Sequence, residues 1–192
     1  WNMLNIIREN IEPNLLRIGK LFSYLRISPT GWSIIGLMIG TIASAVYAEI
    51  INGGIMLGGI LLLVMGFFDI VDGAVAKATN STSLRGAFID SNADRISEIL
   101  IFIGIFQSEL VNPSIVLLAL SGSLMVSYVR AKSEAMNIHV AGLGVGERAE
   151  RIIVLALFSI GGEIQLGMMI LTILTIVTVI QRITYVILTL KK

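Results

Sequence analysis

Long apolar runs without a single charge dictate what this chain can fold into. Ile27–Ala48, Ile50–Phe68, Leu110–Val129 and Ile164–Gln181 contain no Asp, Glu, Lys or Arg. Ile99–Ser108 and Ile152–Gly162 are shorter runs of the same kind. A helix that crosses a bilayer needs about 20 such residues. Only 14% of the residues are charged, against roughly 25% in soluble domains, so a water-soluble surface is out of reach. The 55% hydrophobic content also excludes a disordered chain. A net charge of +1 argues against a nucleic-acid partner. With no cysteine, disulfides, thiolate metal sites and cysteine nucleophiles are excluded.

The two short runs extend into charged segments, Ser91–Glu98 and Val145–Arg151, so their helices carry charge near one membrane face. Asn112-Pro113 and Gly161-Gly162 break the pattern where hairpins should turn. The expected fold is an all-α integral membrane protein with six transmembrane helices. No signal peptide is apparent. If the spans alternate, the connections near Glu49, Glu109 and Glu163 share one side and hold no Lys or Arg. All 14 basic residues then fall on the other side. Basic connections stay cytoplasmic, which predicts a multi-pass protein of the cell membrane with both termini and the polar connections in the cytoplasm.

Residues 1–26 read differently. Leu4, Ile7, Ile11, Leu15, Ile18 and Leu21 recur at helical spacing, with Arg8, Glu9, Glu12, Arg17 and Lys20 between them. That pattern predicts an N-terminal amphipathic helix lying in the membrane interface, ahead of a membrane domain over residues 27–192. Gly36 and Gly40 form a GxxxG pair, and Gly54, Gly58 and Gly59 cluster in the next span. Close helix packing inside the bundle accounts for them better than a dimer face does.

The chemistry concentrates in two pairs of carboxylates. Asp69 and Asp72 are three apart, and Asp90 and Asp94 are four apart. On helices each pair shares a face, about one turn apart. Asp69 ends the second apolar run and Asp94 leads into the third, so the pairs should face each other at one membrane depth. Ionisable groups at such depth line cavities, pair or bind ions. Oxygen-only ligands select a hard cation such as Mg²⁺, Mn²⁺ or Ca²⁺, and four carboxylates can hold two of them. Gly73, Ala76 and Gly86 keep the neighbouring surface small enough for a bulky ligand to approach. Lys77 is placed to meet a phosphate or to snorkel to the headgroups. An acidic patch merely paired with Lys77, Arg85 and Arg95 would not need four carboxylates in register.

This segment resembles the signature of the CDP-alcohol phosphotransferases, D-x₂-D-G-x₂-A-R-x₈-G-x₃-D-x₃-D. It reads here as Asp69, Asp72, Gly73, Ala76, Lys77, Gly86, Asp90 and Asp94 with every spacing kept. Lys77 replaces an Arg, which keeps the charge but loses a bidentate fork. The resemblance implies transfer of a phosphatidyl-type group from a CDP-linked lipid to an alcohol, with release of CMP. It also implies two Mg²⁺ or Mn²⁺ ions per site, six spans and a homodimer. By resemblance, Asp69, Asp72 and Asp90 bind the first metal, and Asp69, Asp90 and Asp94 the second. Asp94 would also be the base that deprotonates the acceptor. Gly73, Ala76, Lys77, Ser83 and Gly86 match positions around the CDP group, and Thr30 and Ser33 resemble an N-terminal nucleotide contact.

The second polar connection carries Ser127-Tyr-Val-Arg130-Ala-Lys132-Ser-Glu134 and Glu147-Arg148-Ala-Glu150-Arg151. These stretches resemble the acceptor pocket of the family's inositol-phosphate branch. That resemblance implies L-myo-inositol 1-phosphate as acceptor and CDP-archaeol or CDP-diacylglycerol as donor. Ser127, Arg130, Lys132 and Arg148 would hold the acceptor phosphate, joined by Arg182 from the last helix, because a phosphomonoester dianion needs a basic pocket. Simple positive-inside anchoring would need only loosely placed basic charge. Glycerol 3-phosphate, serine and free inositol are the alternative acceptors. His139 reads as a solvated loop residue, and Glu98, one turn past Asp94, has no assigned role. A divalent-cation or proton transporter could use the same acids. It would favour midplane charges and an internal repeat, and the sequence has no evident repeat.

Overall fold

The computed structural model describes residues 14–190, and every regular element among them is helical. The first helix, α1, is described over residues 14–23. It is followed by α2 (Pro29–Tyr47), α3 (Gly54–Ala78), α4 (Leu84–Gln107), α5 (Pro113–Glu134), α6 (Arg148–Ile160) and α7 (Ile164–Leu190). Leu4, Ile7, Arg8, Glu9, Ile11 and Glu12 of the amphipathic pattern lie outside the described residues, as do Lys191 and Lys192.

Local sequence explains where the helices begin. Ser28 caps α2 by accepting from the Gly31 N–H, and Ser83 caps α4 by accepting from the Gly86 N–H. Asn112 caps α5 by accepting from the Ser114 N–H, and Pro29 and Pro113 occupy first-turn positions that need no donor. Glu147 and Glu150 form a reciprocal capping box at the start of α6. The turns after α2, α4 and α6 each contain a residue in the left-handed region: Glu49 (φ 59°), Glu109 (φ 57°) and Gly162 (φ 81°). These are the same three connections that lack Lys and Arg.

Among the described residues, α2, α3, α5 and α7 are long and apolar enough to cross a membrane. That establishes an all-helical membrane protein with at least these candidate spans. The other two expected spans differ for identifiable reasons. α4 has 24 residues but carries Arg85, Asp90, Asp94, Arg95 and Glu98. α6 has 13 residues, about 20 Å at 1.5 Å per residue, which is short of a hydrocarbon core about 30 Å thick.

The helices pack as α2 on α3 and α4, α3 on α6, and α7 on α5 and α6. Tyr47 and Leu62, Phe102 and Ile105, and Met168 and Leu171 contribute to one buried cluster. Small residues permit the tightest approaches. A Cβ at Gly104 of α4 would collide with the Ser44 carbonyl of α2, and Ser44 Oγ donates to the Leu100 carbonyl at 2.5 Å. Gly40 faces Met65 and Ser97 inside the bundle, the packing role expected of the GxxxG pair. At the opposite end, Phe22 of α1 meets Trp32 edge-on at 5.2 Å, and Trp32 stacks on Phe68 at 5.5 Å. Gly19 lies against the Ala74 carbonyl, which seats α1 directly beside the Gly73–Lys77 stretch.

Candidate active site

The one-turn spacing on α3 and the position of Asp90 on α4 bring three of the four carboxylates together. Asp69, Asp72 and Asp90 each offer an oxygen, and these oxygens lie within 4.8 Å of one another. Asp72 is 6% exposed, and its Oδ2 accepts from Ser33 Oγ at 2.6 Å. Ser33 therefore ties the first turn of α2 to the acidic face of α3. Asp90 Oδ1 is buried and has no hydrogen-bond partner. A buried oxygen left without a donor costs roughly 1–3 kcal/mol, a deficit that a bound cation would remove. Three converging carboxylates with one unpaired oxygen suit a hard divalent ion in chemistry and in number.

Asp94 lies outside that triad and meets Arg148 instead. Arg148 Nη1 is 2.9 Å from Asp94 Oδ1 and 2.6 Å from Asp69 Oδ1. These close charge contacts hold the guanidinium between the two acidic helices. Arg95 Nη1 adds a longer contact to Asp94 Oδ2 at 3.6 Å while donating to the Ser91 carbonyl at 2.7 Å.

The acids open into a cavity of about 720 Å³. Asp69, Asp90 and Asp94 line it from α3 and α4. Ser127 and Arg130 line it from α5, Arg148 from α6 and Arg182 from α7. Arg130 Nε donates to Glu134 Oε1 at 2.9 Å. Arg182 is 1% exposed, and its three nitrogens donate to the Leu143 carbonyl, the Val126 carbonyl and Glu147 Oε1 at 2.9, 3.0 and 2.6 Å. Lys132 is exposed and does not line this cavity.

The candidate nucleotide contacts gather on the neighbouring side. A Cβ at Gly73 would meet nothing within 4 Å, which leaves the α3 backbone open there. Thr30, Ser83 and Gly86 converge: Ser83 Oγ accepts from the Gly86 N–H at 3.0 Å, and Thr30 Oγ1 lies 4.0 Å from a Cβ at Gly86. Ala76 is partly buried and Lys77 exposed near the end of α3. His139 is exposed in the connection between α5 and α6. Arg95, Glu147 and Arg151 also line the cavity. Their sequence signal was spacing, since Arg151 and Glu147 flank Arg148 within one turn.

A profile of the CDP-alcohol phosphatidyltransferase family matches residues 26–190. The chain belongs to this family. The archaetidylinositol phosphate synthase of Pyrococcus horikoshii is 39% identical over 181 residues, covering 94% of this chain and 95% of the relative. That of Methanothermobacter thermautotrophicus is 37% identical over 195 residues, covering 96% and 94%. The phosphatidylinositol phosphate synthase of Mycobacteroides abscessus is 32% identical over 162 residues, covering 76% and 72%. The fold is shared with Mycobacterium tuberculosis phosphatidylinositol phosphate synthase solved with manganese and citrate. That likeness has a TM-score of 0.78 at 23% identity and covers 90% of this chain and 88% of the other. The same synthase with CDP-DAG bound gives a TM-score of 0.77. This CDP-alcohol phosphatidyltransferase is thus an enzyme of phospholipid synthesis, and its acidic cluster has the make-up to hold a divalent cation. Asp69, Asp72 and Asp90 are the residues suited to hold one.

Proposed function

We propose that this transferase moves an archaetidyl or phosphatidyl group from a CDP-activated lipid to L-myo-inositol 1-phosphate and releases CMP. The observation that carries this reading is the placement of Arg148. The same guanidinium borders the cavity and touches Asp94 at 2.9 Å. An acceptor whose phosphate rests on Arg148 would therefore present its hydroxyl near a carboxylate base.

The chain's residues divide the work. Ser127, Arg130 and Arg148 supply donors for the acceptor phosphate, and Arg182 anchors the wall of the cavity. Thr30, Ser33, Gly73, Ala76, Lys77, Ser83 and Gly86 shape the donor side. Asp94 takes the hydroxyl proton as the acceptor oxygen attacks the lipid-bearing phosphorus. The phosphorus–oxygen bond to CMP breaks, and CMP leaves with the bonding electron pair. Two divalent cations, one on Asp69, Asp72 and Asp90 and one shared by Asp69, Asp90 and Asp94, would supply positive charge to the diphosphate and the departing CMP.

The same reading makes α4 and α6 the remaining two of six spans. It places the basic end of the bundle in the cytoplasm, with α1 along the interface and the helices that follow it forming the membrane domain. Family resemblance supports a homodimer. CMP release in detergent tests the reaction, using CDP-archaeol or CDP-diacylglycerol, Mg²⁺ or Mn²⁺, and a panel of acceptors. Release with inositol 1-phosphate is the expected result. Release only with glycerol 3-phosphate, serine or free inositol would move the acceptor assignment, and no release with any of them would sink the reading.

A further inference from the structure

A second charged pair lies one helical turn beyond the first. Glu98 follows Asp94 by four residues on α4, and Arg151 follows Arg148 by three on α6. Arg151 Nε donates to Glu98 Oε1 at 2.9 Å and Nη2 to Glu98 Oε2 at 3.1 Å. This is the fork-to-fork geometry that fixes orientation as well as distance. The third nitrogen, Nη1, donates to the Gly146 carbonyl at 2.9 Å. Arg151 is 2% exposed, and the Glu98 side chain is mostly shielded.

These contacts join two helices whose main packing lies elsewhere. α4 rests on α2 and, less extensively, on α5, whereas α6 rests on α3 and α7. Between α4 and α6 stand two stacked rungs: Asp94–Arg148 at the cavity and Glu98–Arg151 beneath it. Gly146 is two residues ahead of Arg148, and a Cβ there would crowd the Leu174 carbonyl and Thr178 of α7. Arg151 therefore grips the backbone that leads into Arg148, and Glu98 grips Arg151. Glu98 itself does not line the main cavity, whereas Arg151 does.

We propose that Glu98 is a positioning residue for acceptor binding, acting through Arg151 to fix the Gly146–Arg148 turn and so the place of the Arg148 guanidinium beside Asp94. The inference rests on the reading that Arg148 receives the acceptor phosphate. Displacement of a positioned group by about 1 Å can cost up to 10²-fold, so an effect of that kind is large enough to read in KM.

The test compares Glu98→Gln, Glu98→Asp and Arg148→Ala in the full-length protein in detergent. Acceptor KM, donor KM, Mn²⁺ affinity by EPR and thermal stability are measured for each. Glu98→Gln keeps the shape but removes the charge, and should raise acceptor KM about tenfold while donor KM and Mn²⁺ affinity stay within about twofold. Glu98→Asp keeps the charge and should recover part of that loss. Equal changes in both KM values, no change in either, or failure of Glu98→Gln to yield folded protein would each overturn the inference in favour of a purely structural pair. Should Arg148→Ala leave acceptor KM unmoved, the acceptor reading falls and this inference with it. Should Arg148→Ala raise it while Glu98→Gln does not, only the positioning role of Glu98 falls.

Discussion

Arg148 Nη1 stands 2.6 Å from Asp69 and 2.9 Å from Asp94, so one guanidinium from α6 bridges the two acidic helices. It offsets carboxylate charge that α3 and α4 could not otherwise hold so close together, and it does so at the wall of the cavity where an anionic acceptor would enter. Replacing it should therefore hurt the acceptor more than the donor. Arg148→Ala is expected to raise acceptor KM by tenfold or more, in keeping with about 1.5–3 kcal/mol for a hydrogen bond to a charged group. Donor KM should change far less. Steady-state kinetics with each substrate varied in turn checks this, and equal effects on both would reduce Arg148 to a general electrostatic role.

Asp94 is the carboxylate that contacts Arg148 and lines the cavity but stands apart from the metal-sized triad. A base in that place has a proton to collect. Asp94→Asn preserves the shape and removes the capacity to accept it, so kcat should fall by about 10²–10⁴-fold. Unchanged turnover of CMP release in this variant would remove Asp94 from the chemistry.

Ser33 reaches the site from a different helix. Its hydroxyl donates to Asp72 Oδ2 at 2.6 Å and holds that buried carboxylate in its rotamer. Groups that orient a metal-binding side chain in this way are worth about 10–100-fold in metal affinity. Ser33→Ala should weaken Mn²⁺ binding by that order, read by EPR titration of the purified protein. Because Ser33 also sits at the nucleotide side, the metal titration is performed without CDP-lipid. An unchanged Mn²⁺ affinity would leave Ser33 as a nucleotide contact alone.

The spacing of Asp69, Asp72, Asp90 and Asp94 made the acidic centre legible, because helical periodicity converts three- and four-residue intervals directly into shared faces. The basic side of the cavity was legible only in part. Ser127, Arg130, Arg148 and Arg182 line it, but Lys132 points elsewhere because its position on α5 turns it away from the face shared by Ser127, Arg130 and Ala131. The Glu98–Arg151 fork could not be read from intervals at all. Its members are 53 residues apart and meet only because α4 and α6 are brought alongside one another by helices that each contacts separately. The span count shows the same division. Long neutral runs announced α2, α3, α5 and α7, while α4 and α6 traded apolar length for the charges that build the site.

Arg182 gives the sharpest contrast between a residue that lines a pocket and one that holds it together. Its Nη2 is committed to Glu147 at 2.6 Å, and Nε and Nη1 are committed to carbonyls of Leu143 and Val126. Glu147 also caps α6, so Arg182 ties α7 to α5, to the connection before α6 and to the helix that carries Arg148. Removing it takes a charged partner from the half-exposed Glu147 carboxylate and the donors from two carbonyl oxygens. Leaving a hydrogen-bonding group without its partner costs about 1–3 kcal/mol where it is buried, so Arg182→Ala should lower the melting temperature in detergent clearly. Lys132→Ala, at an exposed position, should stay within about 0.5 kcal/mol. The comparison of the two melts separates the roles. A small stability change for Arg182→Ala with a large rise in acceptor KM would make Arg182 a phosphate ligand, whereas the predicted large stability change makes it the anchor of the acceptor wall.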